Sequence, residues 1–175
     1  MGERKVRGSV INGYMKYVVR TWGKAGLDEC LASAKLSDIP IKDGVLYPYV
    51  MEQGVITWIS GKHGMDHVRK AGNFTVKNLG MLSYLVRFAS IETMLEKSVN
   101  SYYEAYAFGH VEMHIEGKKG VAKMRDVSDI PENCQGWLGA FEGLLELKHA
   151  KKGRVIKTKC QLKGDTQCEY EITWE

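Results

Sequence analysis

No stretch of this chain is apolar over the eighteen or so residues that a membrane crossing needs, so no membrane span is expected. The opening residues, Met1-Gly2-Glu3-Arg4-Lys5, are charged and lead into no continuous apolar segment, which argues against a secretory signal. Gly2 does not complete a myristoylation pattern, because Val6 stands where Ser or Thr is required. Cysteine is sparse. Four in 175 residues, with no signal, point to a reducing cytoplasm rather than a disulfide scaffold. There is no glycine-rich nucleotide motif, no nucleophile with an evident base and no acid pair set for catalysis, so nothing marks an enzyme. Charge of one sign does not dominate either, at 25 Lys and Arg against 21 Asp and Glu, a net +4. The basic groups Arg4-Lys5, Lys118-Lys119 and Lys148-Lys151-Lys152 are dispersed among acids, with no aromatic-and-basic stripe. Direct nucleic-acid binding is therefore not indicated.

What is present is an ordinary globular composition, large enough for one domain over 1–175 with a real core. Val10, Tyr14, Tyr17, Val18 and Thr21 recur at helical spacing, which predicts a helix over Val6–Trp22 that Gly23 stops. Leu27–Ala34 reads as a short second helix holding Cys30 in the core, and Ser37–Val45 as a loop. Val50–Ser60 predicts a helix, broken by Gly61-Lys62-His63-Gly64 and resumed over Met65–Ala71. His63 and His67 have the spacing of a metal pair, but Gly64 stands where the general-base Glu of such motifs belongs, and a polar face is the better reading. Gly80–Val99 predicts a longer amphipathic helix with Met81, Tyr84, Leu85, Phe88, Ile91, Met94 and Leu95 on one face. Such a face is core, or the wall of a pocket for an apolar ligand. Tyr102–Phe108 is aromatic-rich and is expected to lead into a strand.

The second half alternates. His110–Glu116 and Val121–Val127 flank Gly117-Lys118-Lys119-Gly120 as a hairpin, with His110 and His114 on its solvated face. Asp129-Ile130-Pro131-Glu132 opens a helix, with Asp129 as cap, whose stripe is Cys134, Trp137, Leu138, Phe141 and Leu145. A second hairpin follows, with Ile156, Thr158, Cys160 and Leu162 on one face and Lys157, Lys159 and Gln161 on the other. Its partner strand carries Cys168, Tyr170, Ile172 and Trp174. A turn centred on Gly164 sets Cys160 across from Cys168, and Cys134 comes to them from the first helical turn, where the dipole favours a thiolate. Three readings stand: a three-sulfur metal site, ordinary buried cysteines, or a disulfide. The element order predicts an α+β domain, with N-terminal helices packed on an antiparallel sheet of about four strands and a hairpin–helix–hairpin ending.

The residues Cys134-Gln135-Gly136-Trp137-Leu138-Gly139, then Gly153-Arg154-Val155, then Cys160 through Gly164-Asp165 to Cys168-Glu169-Tyr170 resemble the 4-vinyl reductase domain. Gly8-Ser9-Val10-Ile11-Asn12 followed by Trp22-Gly23 is similar to the opening of that fold. The family includes ligand-sensing domains of phenol- and xylene-responsive activators and a bacteriochlorophyll-synthesis accessory protein. It shares its fold with haem-based nitric-oxide sensors and Golgi vesicle-tethering subunits. The resemblance implies structural zinc on Cys134, Cys160 and Cys168, with Lys157 standing where the family's sensors place a carboxylate ligand. Haem is disfavoured because the Tyr-x-Ser-x-Arg motif of the haem-binding relatives is missing. The expected function is a cytoplasmic sensory or regulatory domain binding a small apolar or aromatic ligand among Tyr84, Phe88, Tyr106, Phe108 and Trp137. The resemblance implies a homodimer, and because the chain stops at Glu175 a separate output protein is expected. A tetrapyrrole-related enzyme accessory and a ligand-free assembly subunit are the alternatives.

Overall fold

The computed structural model describes residues 3–78 and 89–175. Strand β1 (Lys5–Arg7) pairs antiparallel with β2 (Leu46–Pro48), Val6 lying opposite Tyr47. Between them runs α1 (Gly8–Ser33), which buries Val10, Ile11, Tyr14, Tyr17 and Val18. The stop expected at Gly23 is a kink. Gly23 takes φ 71° and ψ −170°, open to glycine and disfavoured for a side chain, and the helix resumes through Cys30. The two expected helices are thus the two arms of one bent rod. Cys30 is fully buried, and burial pushes its thiol up to about 12, so it is an inert core residue.

Next come α2 (Tyr49–His63) and α3 (Met65–Asn78), separated at Gly64, where φ is 86°. Helix α4 (Ile91–Ala105) starts at Ser90, whose hydroxyl accepts the N–H of Thr93 at 3.2 Å. Of the stripe expected over Gly80–Val99, Met81, Tyr84, Leu85 and Phe88 lie outside the described residues, while Met94 and Leu95 are buried. The segment Tyr102–Phe108 does lead into a strand, which begins at His110, but Tyr102 itself is helical. It extends the Leu95 stripe by two helical turns and sits in the last turn of α4, so packing periodicity overrides the strand preference of its neighbours.

Strands β3 (His110–Glu116), β4 (Lys119–Arg125), β5 (Arg154–Lys159) and β6 (Cys168–Thr173) form one sheet in the order β3-β4-β6-β5, antiparallel throughout. This is the α+β arrangement that the alternation predicted, closed by hairpin, helix and hairpin. Helix α5 (Pro131–Leu147) covers the inner face, its Phe141 ring 5.4 Å from that of Tyr170. Asp129 does not cap it. Asn133 reaches back instead, accepting the N–H groups of Asp129 at 3.1 Å and Ile130 at 3.2 Å.

Helices α3 and α5 cross at backbone contact. A Cβ on Gly72 would collide with the carbonyl of Gly136, and one on Gly139 with that of Arg69. An ion pair from Arg69 to Glu142 flanks the crossing, with Nε 2.8 Å from Oε2. This crossing joins the helical layer to the sheet layer, and the pocket lies beside it. No helix among the described residues is long and apolar enough to cross a membrane.

Candidate functional site

The pocket is a cavity of about 110 Å³ where α1, α2, α3, α4 and α5 meet the sheet. Each wall follows from a helical stripe. Helix α1 supplies Val10 and Tyr14, and α2 supplies Tyr49 and Glu52. Gly72, Thr75 and Val76 come from α3, and Tyr102 and Ala105 from α4, with Tyr106 next in sequence. Asn133, Gly136, Trp137 and Ala140 lie on α5, and Val111 and Met124 on the sheet.

Aromatic rings pack against one another through this region. Tyr102 stacks on Tyr106 with centroids 5.0 Å apart, and Trp137 lies 5.3 Å from Tyr106. Hydrogen bonds fix which parts of these residues remain free. The Tyr102 hydroxyl donates to the Phe108 carbonyl at 2.7 Å, and that of Tyr49 to the Val127 carbonyl at 3.2 Å. Tyr106 instead donates to Glu52 Oε1 at 3.3 Å.

Glu52 is the anomaly. It shares the buried stripe of Val55, Ile56 and Ile59 and is only 3% exposed. Its Oε2 has no hydrogen-bond partner among the described residues, and neither do Thr75 Oγ1 and Asn133 Nδ2 on the same pocket wall. Burial raises the Glu52 carboxyl to about 8, against the opposing pull of the Tyr106 hydroxyl. It is therefore largely protonated at neutral pH.

Of the ligand-contact residues expected from sequence, Tyr106 and Trp137 line the pocket. Phe108 does not; its ring backs Tyr49 at 4.4 Å under the Arg4 guanidinium. Tyr84 and Phe88 lie outside the described residues. Glu52, Tyr14, Tyr49, Thr75 and Asn133 escaped the sequence reading. Glu52 did carry a signal, an acid at helical spacing with Val55, Ile56 and Ile59. The histidines lie elsewhere. His63 stacks on Trp22 at 3.8 Å, His67 Nδ1 is 2.9 Å from the Tyr17 hydroxyl, and His110 faces Glu112 at 2.8 Å.

The three cysteines do converge, with the sulfurs of Cys134, Cys160 and Cys168 all within 4.8 Å of one another. A fourth group joins them, because Lys157 Nζ donates to Cys160 Sγ at 2.8 Å. Sequence alternation had turned Lys157 away. The pairing explains the reversal: Val155 faces Ile172 and Lys157 faces Tyr170, then the register slips between Lys157 and Lys159. This bulge puts Lys157 on the same inner face as Cys160, and Ile156, expected inside, is 38% exposed. Hydrogen bonding from Cys168, followed by the Lys157 ammonium, holds the Cys134 thiol well below its ordinary value. The Cys168 thiol, donor in that pair and buried, is held high. The cluster thus favours a thiolate within the Cys134–Cys168 pair, beside the Lys157 ammonium. The three sulfurs lie close enough together to hold a metal ion, and Lys157, where the resemblance places a carboxylate ligand, brings an ammonium to Cys160 instead.

No family model and no curated protein matches the chain. Solved structures do. An H-NOX protein from S. oneidensis in the Fe(II)NO ligation state superposes with a TM-score of 0.78 at 16% identity, covering 97% of this chain and 99% of that one. A single-residue mutant of T. tengcongensis H-NOX gives 0.76 at 13% identity, covering 97% of each chain. A structure described as probing haem distortion in the H-NOX family gives 0.76 at 13% identity, covering 97% of this chain and 95% of that one. The expectation that haem is disfavoured is overturned by these likenesses, because solved structures that share the fold are described by their haem. Loss of the Tyr-x-Ser-x-Arg motif does not set haem aside. The described wall offers iron the phenols of Tyr14, Tyr49, Tyr102 and Tyr106 and the thioether of Met124, both donor types that hold haem iron, and no histidine among the described residues. In donor chemistry this fits a haem; in volume, 110 Å³ would have to expand toward the ~300–1,000 Å³ of pockets for larger ligands. What the chain shares with these proteins is the H-NOX fold over nearly its whole length.

Proposed function

We propose that this chain is a small-molecule-binding sensory domain whose ligand occupies the pocket between the helices and the sheet. One observation carries the reading: an aromatic-walled cavity holding a buried, half-partnered carboxyl, Glu52, in a fold shared with solved H-NOX proteins. Unpartnered buried polar atoms cost stability, and binding sites are where such costs recur. If haem is the resident group, Tyr14, Tyr49, Tyr102, Tyr106 or Met124 would hold it, and it would supply an iron for gaseous ligands. Output passes to a separate protein or a second copy of the chain, and light scattering of the purified chain separates these.

Native mass spectrometry of the protein as purified, together with a haem titration followed at the Soret band, tests the reading. The expected result is one small molecule per chain, whether carried through purification or taken up, and displaced in the pocket-filling variant Ala140→Phe. A ligand-free mass, with no uptake of haem or of small aliphatic or aromatic compounds, would overturn it.

A further inference from the structure

Glu52 is 3% exposed, lines the pocket, and has one oxygen bonded to Tyr106 and the other without a partner among the described residues. Among the described residues, the titratable groups facing it are phenols: Tyr14 from α1, Tyr49 from α2, and Tyr102 and Tyr106 at the end of α4. None brings a positive charge. No ion pair to Glu52 exists among the described residues, and no Lys, Arg or His lines the cavity among them. A carboxyl placed this deep is normally paired with a cation. The rings of Tyr102, Tyr106 and Trp137 line the same pocket, packed on one another, and aromatic rings attract cations through their quadrupoles. Thr75 Oγ1, also buried and unpartnered, adds a second acceptor on the same wall.

We infer that the pocket takes a small organic cation, a primary ammonium compound whose N–H groups donate to Glu52 Oε2 and Thr75 Oγ1 while its carbon body lies against the tyrosine and tryptophan rings. The inference rests on the pocket being the ligand site and deepens that reading by naming the ligand's chemistry. Size follows from the cavity. About 150 Å³ takes a six-atom ring, so 110 Å³ takes about four to five heavy atoms. The ligand completes half an ion pair already built into the core, and Asn133 Nδ2 is free to donate to any oxygen it carries.

Binding also moves a proton. The ammonium keeps its charge and selects the Glu52 carboxylate, so the carboxyl proton leaves to solvent. Affinity therefore rises with pH through neutrality and levels off above about 8.

The test compares n-butylammonium with 1-butanol, equal in heavy atoms and differing in charge, by calorimetry on the full chain at pH 7 in two buffers of different ionisation enthalpy. The expected result is that n-butylammonium binds at least tenfold more tightly than 1-butanol and releases close to one proton per chain. Glu52→Gln should lose at least tenfold for n-butylammonium. Binding of 1-butanol as tight as or tighter than n-butylammonium would overturn the cation inference and leave the ligand pocket standing. Binding of neither, in the natural protein, would overturn both. The comparison on the natural protein needs no variant to fold.

Discussion

Replacing Glu52 by Gln should remove a pH-dependent weakness from the fold. The carboxyl is raised by burial to about 8 in the folded protein, against 4.5 ordinarily. A group with a raised folded value binds its proton more tightly folded than unfolded. Its contribution is therefore fully present below the unfolded value and is lost as pH rises through the folded one. Each pH unit across that interval costs about 1.4 kcal/mol, so between pH 5 and pH 8 the natural protein should lose roughly 3 kcal/mol that the variant keeps. For a chain of this size that is a difference of roughly 6–12 °C in Tm. Glutamine keeps the shape and the acceptor for Tyr106 and cannot ionise, so the difference between the two proteins isolates this one group. Thermal melts at half-unit pH steps should show the natural protein falling away from Glu52→Gln across neutrality, with the gap largest above pH 8. Curves that stay parallel from pH 5 to pH 9 would mean that Glu52 is hydrated or paired in solution, and the argument from its buried, unpartnered oxygen would fail.

Tyr106→Phe removes the hydroxyl that lowers Glu52, so the midpoint of the pH-dependent loss should move upward in the same melts; a midpoint that stays or falls refutes that contact. Lys157→Met takes the ammonium from the sulfur cluster, and thiolate absorbance near 240 nm, which should show one thiolate forming below neutral pH in the natural protein, should then move to higher pH. Gly139→Ala sets a methyl against the Arg69 carbonyl at the α3–α5 crossing; overpacking of this kind costs about 1–3 kcal/mol or more, read as a lower midpoint in urea. Cys30→Ala removes a buried thiol held up near 12 and should lower stability by about 1–2 kcal/mol for the small cavity without altering the thiolate titration, which belongs to the Cys134–Cys168 pair.

How far the sequence could be read follows from how local each signal is. Alternation in His110–Glu116 matches the strand end to end, because a half-exposed antiparallel strand writes its pattern residue by residue. Gly23 and Gly64 were legible because positive φ is a property of one residue. The cysteine convergence was legible too, since Cys160 does come to face the Cys168 side of the hairpin. The same hairpin shows where reading by period two ends. A single bulge between Lys157 and Lys159 reverses the parity of everything before it, so Ile156 goes out and Lys157 comes in. The chemistry of the cluster turns on that slip, from a cation expected outside it to an ammonium at 2.8 Å from sulfur. Glu52 failed for a different reason. A polar residue in an apolar stripe breaks the pattern and reads as noise, yet Val55, Ile56 and Ile59 at helical spacing leave it no other direction to point. At the two places where the pattern is broken, Glu52 and Lys157, a charge-bearing group turns inward, Glu52 buried and Lys157 half-buried. Both meet α5 at its first turns, where Asn133, Gly136 and Trp137 face the pocket and Cys134 faces the sulfurs. The pocket and the sulfur cluster therefore share one element, the first turns of α5.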